Sequence, residues 1–530
     1  MKIPSFLFLS TISLCTCLCI LPTATGNGQS LLPLKPGMGV ATCGSPDFFD
    51  PGRNDPGFVV GIMDLRNPPP SVRGINWAPP VYHGPGDSWT DDNLGQVFGI
   101  CIDEKKNIYL TATSSYGVKS NRSRMVGPGG PGGIYRLDGI TGTIEVFASL
   151  PNTGPGLGNI CYDKAHNQFY ATNFEDGKIY RLSSSGTILE TFDPYQPDDG
   201  KQGFAPLGER PWGIGFYSDR VYYGIWWEDM RRFNPHDRRN EIRSIGISTT
   251  GTFLNDDRHE FELEQLSPVL FSTALSSPVA DIVFATNGRM IIAERTMSGD
   301  MRPGSHQSRV MEYGHFSGSW TFNQIFQIGV FNGAGRDKHY NAAGGVDFGY
   351  NGFDENTRTA TGMDRAIWAS GDALRFRGKN PDNGDDFVYG ITRIPSSGNT
   401  PQNVGTDSYF VDLDNDLVRQ YKTQLGDVEI CRAICLLPEI TISTSKYSAH
   451  ISPTFIRDHA TISVSLAFDG PLKIEVFGAT GATIGIIHEG RISAGEQLIE
   501  WKTSDMEPGL YFVRVQSGEW VRTQQIMIAQ

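Results

Sequence analysis

The chain has 530 residues, 39% of them hydrophobic and 11% aromatic, enough to bury more than one core and form more than one domain. A formal charge of -13 with no basic run argues against nucleic acid or an anionic membrane surface as partner. With 62 glycines, 32 prolines and no long helical periodicity, the sequence excludes an α-rich fold and points to an all-β chain of many turns.

Met1–Gly26 carries a lysine at position 2, an apolar run from Phe6 to Leu21 and the small residues Ala24, Thr25 and Gly26, the layout of a secretory signal peptide. The run is too short for a membrane span, so no transmembrane segment is expected once the signal is cleaved. The cysteines that remain are Cys43, Cys101, Cys161, Cys431 and Cys435. Export permits disulfides but leaves the pairing open; a bridge from Cys43 to Cys431 or Cys435 would tie together the two ends of the repeat region. Cys101 and Cys161 stand at the same place in consecutive repeats and read as small buried side chains.

Residues 27–56, with Pro33, Pro36, Pro46, Pro51 and Pro56, read as an extended lead-in. Residues 57–437 are built on one repeated unit, clearest over Gly156–Leu189. There Asn159–Asp163, Phe169–Thr172, Gly177–Leu182 and Ile188–Phe192 are short runs rich in β-branched or aromatic residues and separated by polar turns, the pattern of a four-stranded antiparallel blade. The opening recurs as Val97–Asp103, Pro211–Phe216, Val279–Phe284 and Gly344–Phe348. The intervals are about 55 to 70 residues against the ~40 to 50 of regular propeller repeats, so several turns carry insertions. Val59–Leu65 and Gly74–Trp77 resemble outer strands without inner partners, and Leu425–Ile430 an inner strand without outer ones. Pairing the chain ends in one shared blade removes the exposed edges. Five copies plus this composite predict a six-bladed β-propeller. Residues 438–450 read as a polar linker, and residues 451–530 as a small β-sandwich of alternating strands.

Gly127, Gly129 and Gly132 have the form of a dinucleotide fingerprint, but they lead into a strand and offer no helix N-terminus to a pyrophosphate, so they read as a loop insertion. Asp412, Asp414 and Asp416 alternate like the first ligands of a calcium loop, yet Leu417 stands where the turning glycine belongs and Thr423 where the bidentate glutamate belongs. No cofactor is expected, a structural calcium being the one exception left open. Asp382–Asp386 is equally well explained as an Asn-Gly turn. The patterns Gly-x-Ser-x-Gly, His-Glu-x-x-His and His-x-His are missing, so no catalytic or metal-ligating residue is assigned. Candidate ligand contacts lie at the axial mouth of the ring, where Gln96, Asn159, Trp212 and Asp281 stand at or near the inner-strand starts with Trp226 or Trp227 beside them. Adjacent Trp226 and Trp227 face opposite ways if the strand continues, one packing between blades and the other free to cover a sugar or aromatic ring.

Ser452-Pro453-Thr454, Val476–Gly481, Trp501 and Glu507–Arg514 resemble the type A C-terminal sorting domain of the type IX secretion system of Bacteroidetes. Ser-Pro-Thr replaces the family's usual Pro-Asn-Pro, and Gly478 stands where aspartate is common. The resemblance implies passage through the inner membrane by the signal, recognition by the type IX machinery at the outer membrane, and a secreted or surface-held product. The repeat openings resemble those of six-bladed NHL-type and gluconolactonase-like propellers. In metal-dependent lactonases of that shape an Asn or Asp immediately before the glycine binds the cation. Here Phe98, Gly158, Trp212, Ala280 and Gly344 hold that place and none can ligate a metal. Asn159 and Asp281 come one residue later, a slip that turns them to the other face of a regular strand. Two functions follow as expectations: a binding or interaction module for an extracellular glycan, peptide or matrix component, or an extracellular hydrolase or lyase acting on a polysaccharide or lactone.

Overall fold

The computed structural model describes residues 33–44, 57–66, 76–116, 126–195, 203–228, 239–264, 275–304, 306–316, 318–330, 339–354, 359–376, 387–413, 424–432, 447–452, 455–466, 470–479, 481–493, 495–517 and 520–529. The chain divides into two compact units, one ending at Ile434 and the other starting at Cys435.

The first unit consists of antiparallel sheets, each wound outward from one inner strand. Blade 1 runs Val97–Ile102, Ile108–Ala112, Gly133–Leu137, Ile144–Ser149, and blade 2 runs Leu157–Asp163, Gln168–Asn173, Ile179–Ser183, Ile188–Phe192. Blades 3, 4 and 5 open with Arg210–Tyr217, Val279–Phe284 and Ala342–Gly349. Their second strands are Arg220–Trp226, Met290–Glu294 and Ala366–Phe376. Blade 6 is the composite: Gln424–Ile430 from the far end of the unit, then Gly39–Gly44, Val60–Met63 and Val81–Tyr82 from its beginning. Each inner strand contacts the next, and that of blade 6 contacts that of blade 1, so the ring is closed.

Closure follows from how the apolar residues are spent. Gln168–Asn173 is buried at every position, because both faces of a middle strand meet neighbouring blades, whereas Ile188–Phe192 at the rim is mostly exposed. A separate apolar core fills each of the six junctions. Tyr109, Phe147 and Phe169, for example, lock blade 1 to blade 2, with ring centroids 4.3 to 5.3 Å apart.

The composite blade differs in detail from the sequence expectation. Gly39–Gly44, within the supposed lead-in, is a full strand inserted between Gln424–Ile430 and Val60–Met63. All six of its residues are buried. The flanking prolines disguised a segment whose Val40 and Ala41 pack into the cores on its two sides. Asn76–Trp77 leaves the composite blade and pairs parallel with Tyr409–Asp412, as a fifth strand of blade 5. Val81–Tyr82 takes the outer place instead.

The same register decides the cysteines. Cys43 lies opposite Leu425, whereas the Cys431 N–H donates to Met38 O at 2.8 Å, at the other end of the same strand pair. Six residues of strand separate the two levels, roughly 20 Å at about 3.4 Å per residue, and a disulfide needs Cα atoms within about 7 Å. Cys43 and Cys431 are therefore not bridged to each other; Cys435 lies outside the described residues. Cys101 and Cys161 are not bridged to each other either, Cys101 fully buried.

The second unit stacks a sheet of Tyr447–Ser452, His459–Leu466 and Gly495–Lys502 on one of Phe455–Ile456, Trp520–Ile528, Gly509–Ser517, Gly470–Gly478 and Thr483–Ile492. Ile451, Ile462, Val464, Ile474, Val476, Val513 and Trp501 form its core. The first strand begins at Tyr447, inside the supposed linker, because Ala449 and Ile451 alternate inward.

Candidate functional site

In every blade the inner strand slips register against the second strand near its start. Such a bulge re-aims the side chain beside it. The sequence expectation that Asn159 and Asp281 turn away from the axis assumed a regular strand, and the bulge overturns it. At this level the six blades carry Gly99, Asn159, Gly213, Asp281, Gly345 and Asp427, glycine in odd blades and a carboxyl or amide in even ones. The glycines are obligatory. A Cβ at Gly99 would lie 2.3 Å from Asn159 Oδ1, at Gly213 2.7 Å from Asp281 N, and at Gly345 2.5 Å from Asp427 Cα.

Asn159, Asp281 and Asp427 converge across the axis. Asn159 Nδ2 donates to Asp281 Oδ1 at 3.2 Å and to Ala280 O at 3.0 Å. Asp281 accepts N–H bonds from Ile282 at 2.8 Å and, in the next blade, Val346 at 2.9 Å. Asp427 does the same with Val428 at 2.8 Å and Ile100 at 2.9 Å. The two carboxyl groups are hydrogen-bonded to each other, which requires a shared proton. Burial, then the Glu429 charge, pushes Asp427 up to about 8. Burial, then Asp427, carries Asp281 well above the carboxylate range.

A hydroxyl clamp sits beside this cluster. Thr42, Thr111, Thr172 and Ser370, each on a second strand, accept an N–H from their own inner strand and donate to a carbonyl of the next one. Thr172, for example, accepts from Asn159 N at 2.9 Å and donates to Trp212 O at 2.6 Å. The bulge frees exactly those backbone groups, so the hydroxyl supplies the partners that the ladder gives up. Gly224 and Ala293 hold the equivalent place in blades 3 and 4 and supply no hydroxyl.

One step further along the axis, Glu429 is hydrogen-bonded to Asp347, and burial, then Asp347, holds it well above its usual range. Asp347 also accepts from Ile430 N at 2.8 Å and from Arg432 Nη2 at 2.7 Å. Burial alone would lower the Arg432 guanidinium, but Asp347 and Glu429 hold it above its ordinary value. Two-fifths of the Arg432 side chain reaches solvent at this end.

The opposite mouth is plugged. Phe98 and Trp212 meet edge to face at 5.2 Å, and Phe174 and Trp226 close on Trp212 at 5.1 and 6.1 Å. Arg295, fully buried, crosses from blade 4 to donate to Ala343 O at 2.7 Å and Leu425 O at 3.0 Å. Of the predicted contacts, Asn159 and Asp281 are brought together, but beneath this plug. Trp212 and Trp226 are the plug itself, the latter under the Arg210 guanidinium at 4.7 Å. Trp227 turns away, half-buried, with its edge against Tyr195 at 6.0 Å. Gln96 is buried at the head of blade 1, where its carbonyl accepts Thr113 N–H at 3.0 Å.

Asp427, Glu429, Asp347, Arg432 and Arg295 were not among the predicted contacts. Asp427 was findable: Gly158-Asn159-Ile160, Ala280-Asp281-Ile282 and Gly426-Asp427-Val428 share one small-polar-branched pattern that alternates with Gly-Ile or Gly-Val openings. Among the described residues no group of three His, Cys, Asp or Glu side chains is arranged to hold a metal ion. Asp414, Asp416 and Asp382–Asp386 lie outside the described residues.

No curated protein matches the chain. Similar solved structures include a protein from Lactobacillus plantarum, 12% identical, covering 74% of this chain and 99% of its own at TM-score 0.34. PorZ of Porphyromonas gingivalis, an essential bacterial surface component of its type IX secretion system, is 11% identical over 89% of this chain and 63% of its own at TM-score 0.32. The calcium-binding protein regucalcin from Agrobacterium tumefaciens is 11% identical over 58% and 94% at TM-score 0.29. The propeller rests on the closed ring of sheets, not on these distant likenesses. No helix among the described residues is long and apolar enough to cross a membrane. Residues 453–529 match the secretion system C-terminal sorting domain family, and that domain marks the chain as a type IX secretion cargo delivered to the cell surface or beyond.

Proposed function

We propose that this exported propeller binds an extracellular ligand, a glycan, peptide or matrix component, and does not turn it over. The carrying observation is that the polar groups on its axis already have partners within the protein: both oxygens of Asp281 and of Asp427 accept backbone N–H bonds, and an aromatic plug covers them. A general acid or base must come within hydrogen-bond reach of its substrate. These carboxyls do not.

A second reading, a hydrolase or lyase with its site at the axial mouth, draws on one specific feature. Burial and then the Glu429 charge push Asp427 up to about 8, a direction of shift that catalytic carboxyls share, but use of it requires the Phe98–Trp212 plug to swing open. The test is to offer the secreted protein a panel of polysaccharides and lactones, with and without calcium, while scoring binding on a glycan array. Binding with no product supports the first reading. Turnover that disappears in Asp281→Asn supports the second.

A further inference from the structure

The two outer faces of the second unit are unlike. Both sheets turn alternate residues into the shared core, Ile462 and Val464 from one, Ile474, Val476, Val513 and Val515 from the other. The residues between them face outward, where an antiparallel sheet ordinarily shows polar side chains to water. The three-stranded sheet follows that rule. His459, Thr461, Ser463 and Ser465 face out from one strand, and Glu500 and Lys502 from its neighbour, with Leu498 the one apolar exception on these two strands among the described residues. The Thr461 hydroxyl donates to Glu500 Oε1 at 2.9 Å, as expected of a face in water.

The five-stranded sheet departs from it. Its outward places set Phe477 opposite Phe512, Leu510 opposite Met527, Ile486 beside Glu475 and Val521 beside Gln516. These six apolar side chains lie outside the core cluster. Ile486, Val521 and Met527 are 52%, 49% and 40% exposed, and the other three are half-buried. They span four adjacent strands, roughly 14 Å across and 20 Å along the chain direction at ordinary strand spacings. Exposed apolar patches of that extent mark interaction sites. The charges among them are spent internally. Arg514 Nη2 and Lys473 Nζ reach Glu475 at 2.6 and 3.0 Å, Lys473 meets Glu489 at 4.0 Å, and the Arg514 guanidinium lies over the Phe477 ring at 4.7 Å. Two cations and two carboxylates cancel, so the face offers no net charge to an anionic lipid surface or a polyanionic glycan. Its complement is an uncharged apolar protein surface.

We propose that the outward face of the five-stranded sheet is the surface the type IX machinery reads, docking on an uncharged apolar face of one of its proteins with the Phe477–Phe512 pair as anchor. The segment matched to the sorting family, residues 453–529, contains every member of the patch. A second copy of the chain seated here would leave only the polar sheet for recognition, and that sheet is an ordinary wet surface. The assignment goes beyond the ligand reading of the propeller and does not depend on it.

The experiment follows export of the full chain from its producing cell, blotting the surface and medium fractions against the retained one. Ile486→Lys combined with Met527→Lys sets a charge on either side of the Phe477–Phe512 pair and should cut the exported fraction at least about tenfold. Both side chains are exposed, so the melting temperature should stay at the wild-type value. Leu498→Lys, on the other sheet and more exposed than either, should export like wild type. A second measurement leaves the fold and the anchor pair intact: a photoreactive benzophenone in place of Val521 should crosslink in the cell to an identified protein of the type IX machinery, and the same group in place of Thr461 should not. Wild-type export of the double variant overturns the proposal, as does an equal loss in Leu498→Lys. Crosslinks from position 521 to a second copy of the chain alone overturn the assignment to the machinery. Any of these failures leaves the propeller's ligand reading standing, since that rests on glycan-array binding without product.

Discussion

Asp427→Asn separates the two energetic roles of the axial carboxyls. The substitution turns one oxygen into an NH2 group, so either Ile100 N–H or Val428 N–H loses the acceptor it holds at 2.9 or 2.8 Å. An unsatisfied buried donor costs about 1–3 kcal/mol, and that loss is the same at every pH. The second effect is not. The folded wild type keeps a proton on the Asp281–Asp427 pair up to about pH 8, whereas the unfolded chain releases it near the ordinary aspartate value of 3.8. Between those limits unfolding liberates a proton. The stabilisation is thus complete below the unfolded value and is lost as pH rises through the folded one, by about 1.4 kcal/mol per unit. From pH 5 to pH 8 this sums to about 4 kcal/mol at most. The asparagine variant removes the Asp427 share of that proton-linked loss, although Asp281 and Glu429, both raised first by burial, keep their own. Urea midpoints followed by tryptophan fluorescence across this range should show the variant weaker than wild type at pH 5 and level with it, or stronger, at pH 8. Parallel curves would refute the shared proton.

Thr172→Val should cost about 1–3 kcal/mol by stranding Asn159 N–H and Trp212 O, and Thr172→Ser should recover most of it; thermal melts of the two variants decide. Gly99→Ala drives a methyl into Asn159 Oδ1 and Cα and should destabilise by about 1–3 kcal/mol or more, where alanine at half-buried Gly130 of the same blade, a positive-φ turn with open space around its Cβ position, loses only about 1 kcal/mol. Peptide mapping of the unreduced protein should find no bridge between Cys43 and Cys431, and mass spectrometry that finds them joined would contradict the strand register. Deleting residues 451–530 should leave the propeller inside the producing cell, checked by immunoblot of surface and medium fractions.

Much of the ring was legible because its signal is local. Each inner strand is a glycine or small residue followed by alternating β-branched residues, and Phe169–Thr172 with its equivalents must be apolar on both faces. The mate of Gln424–Ile430 was not legible: Gly39–Gly44 pairs across nearly the whole propeller, Thr42 Oγ1 accepting from Asp427 N over 385 positions, and no local pattern reports such a partner. The axial cluster was half legible. Asn159 and Asp281 were picked out by residue type, but their direction depends on a bulge, a backbone irregularity that period-two alternation hides. Trp212 and Trp226 misled for a different reason. Composition marks a tryptophan as an available platform, and only packing shows that these two stack on each other.

The interleaving of Gly39–Gly44 between Gln424–Ile430 and Val60–Met63 makes the molecule's beginning hostage to its end. A polypeptide still emerging from synthesis, or clipped ahead of residue 424, is an arc whose terminal sheets expose unpaired backbone and the apolar side chains meant for the last junction. Assembly is therefore all or nothing at one seam, and a lesion there should open the whole toroid while one in an outer rim strand is shrugged off.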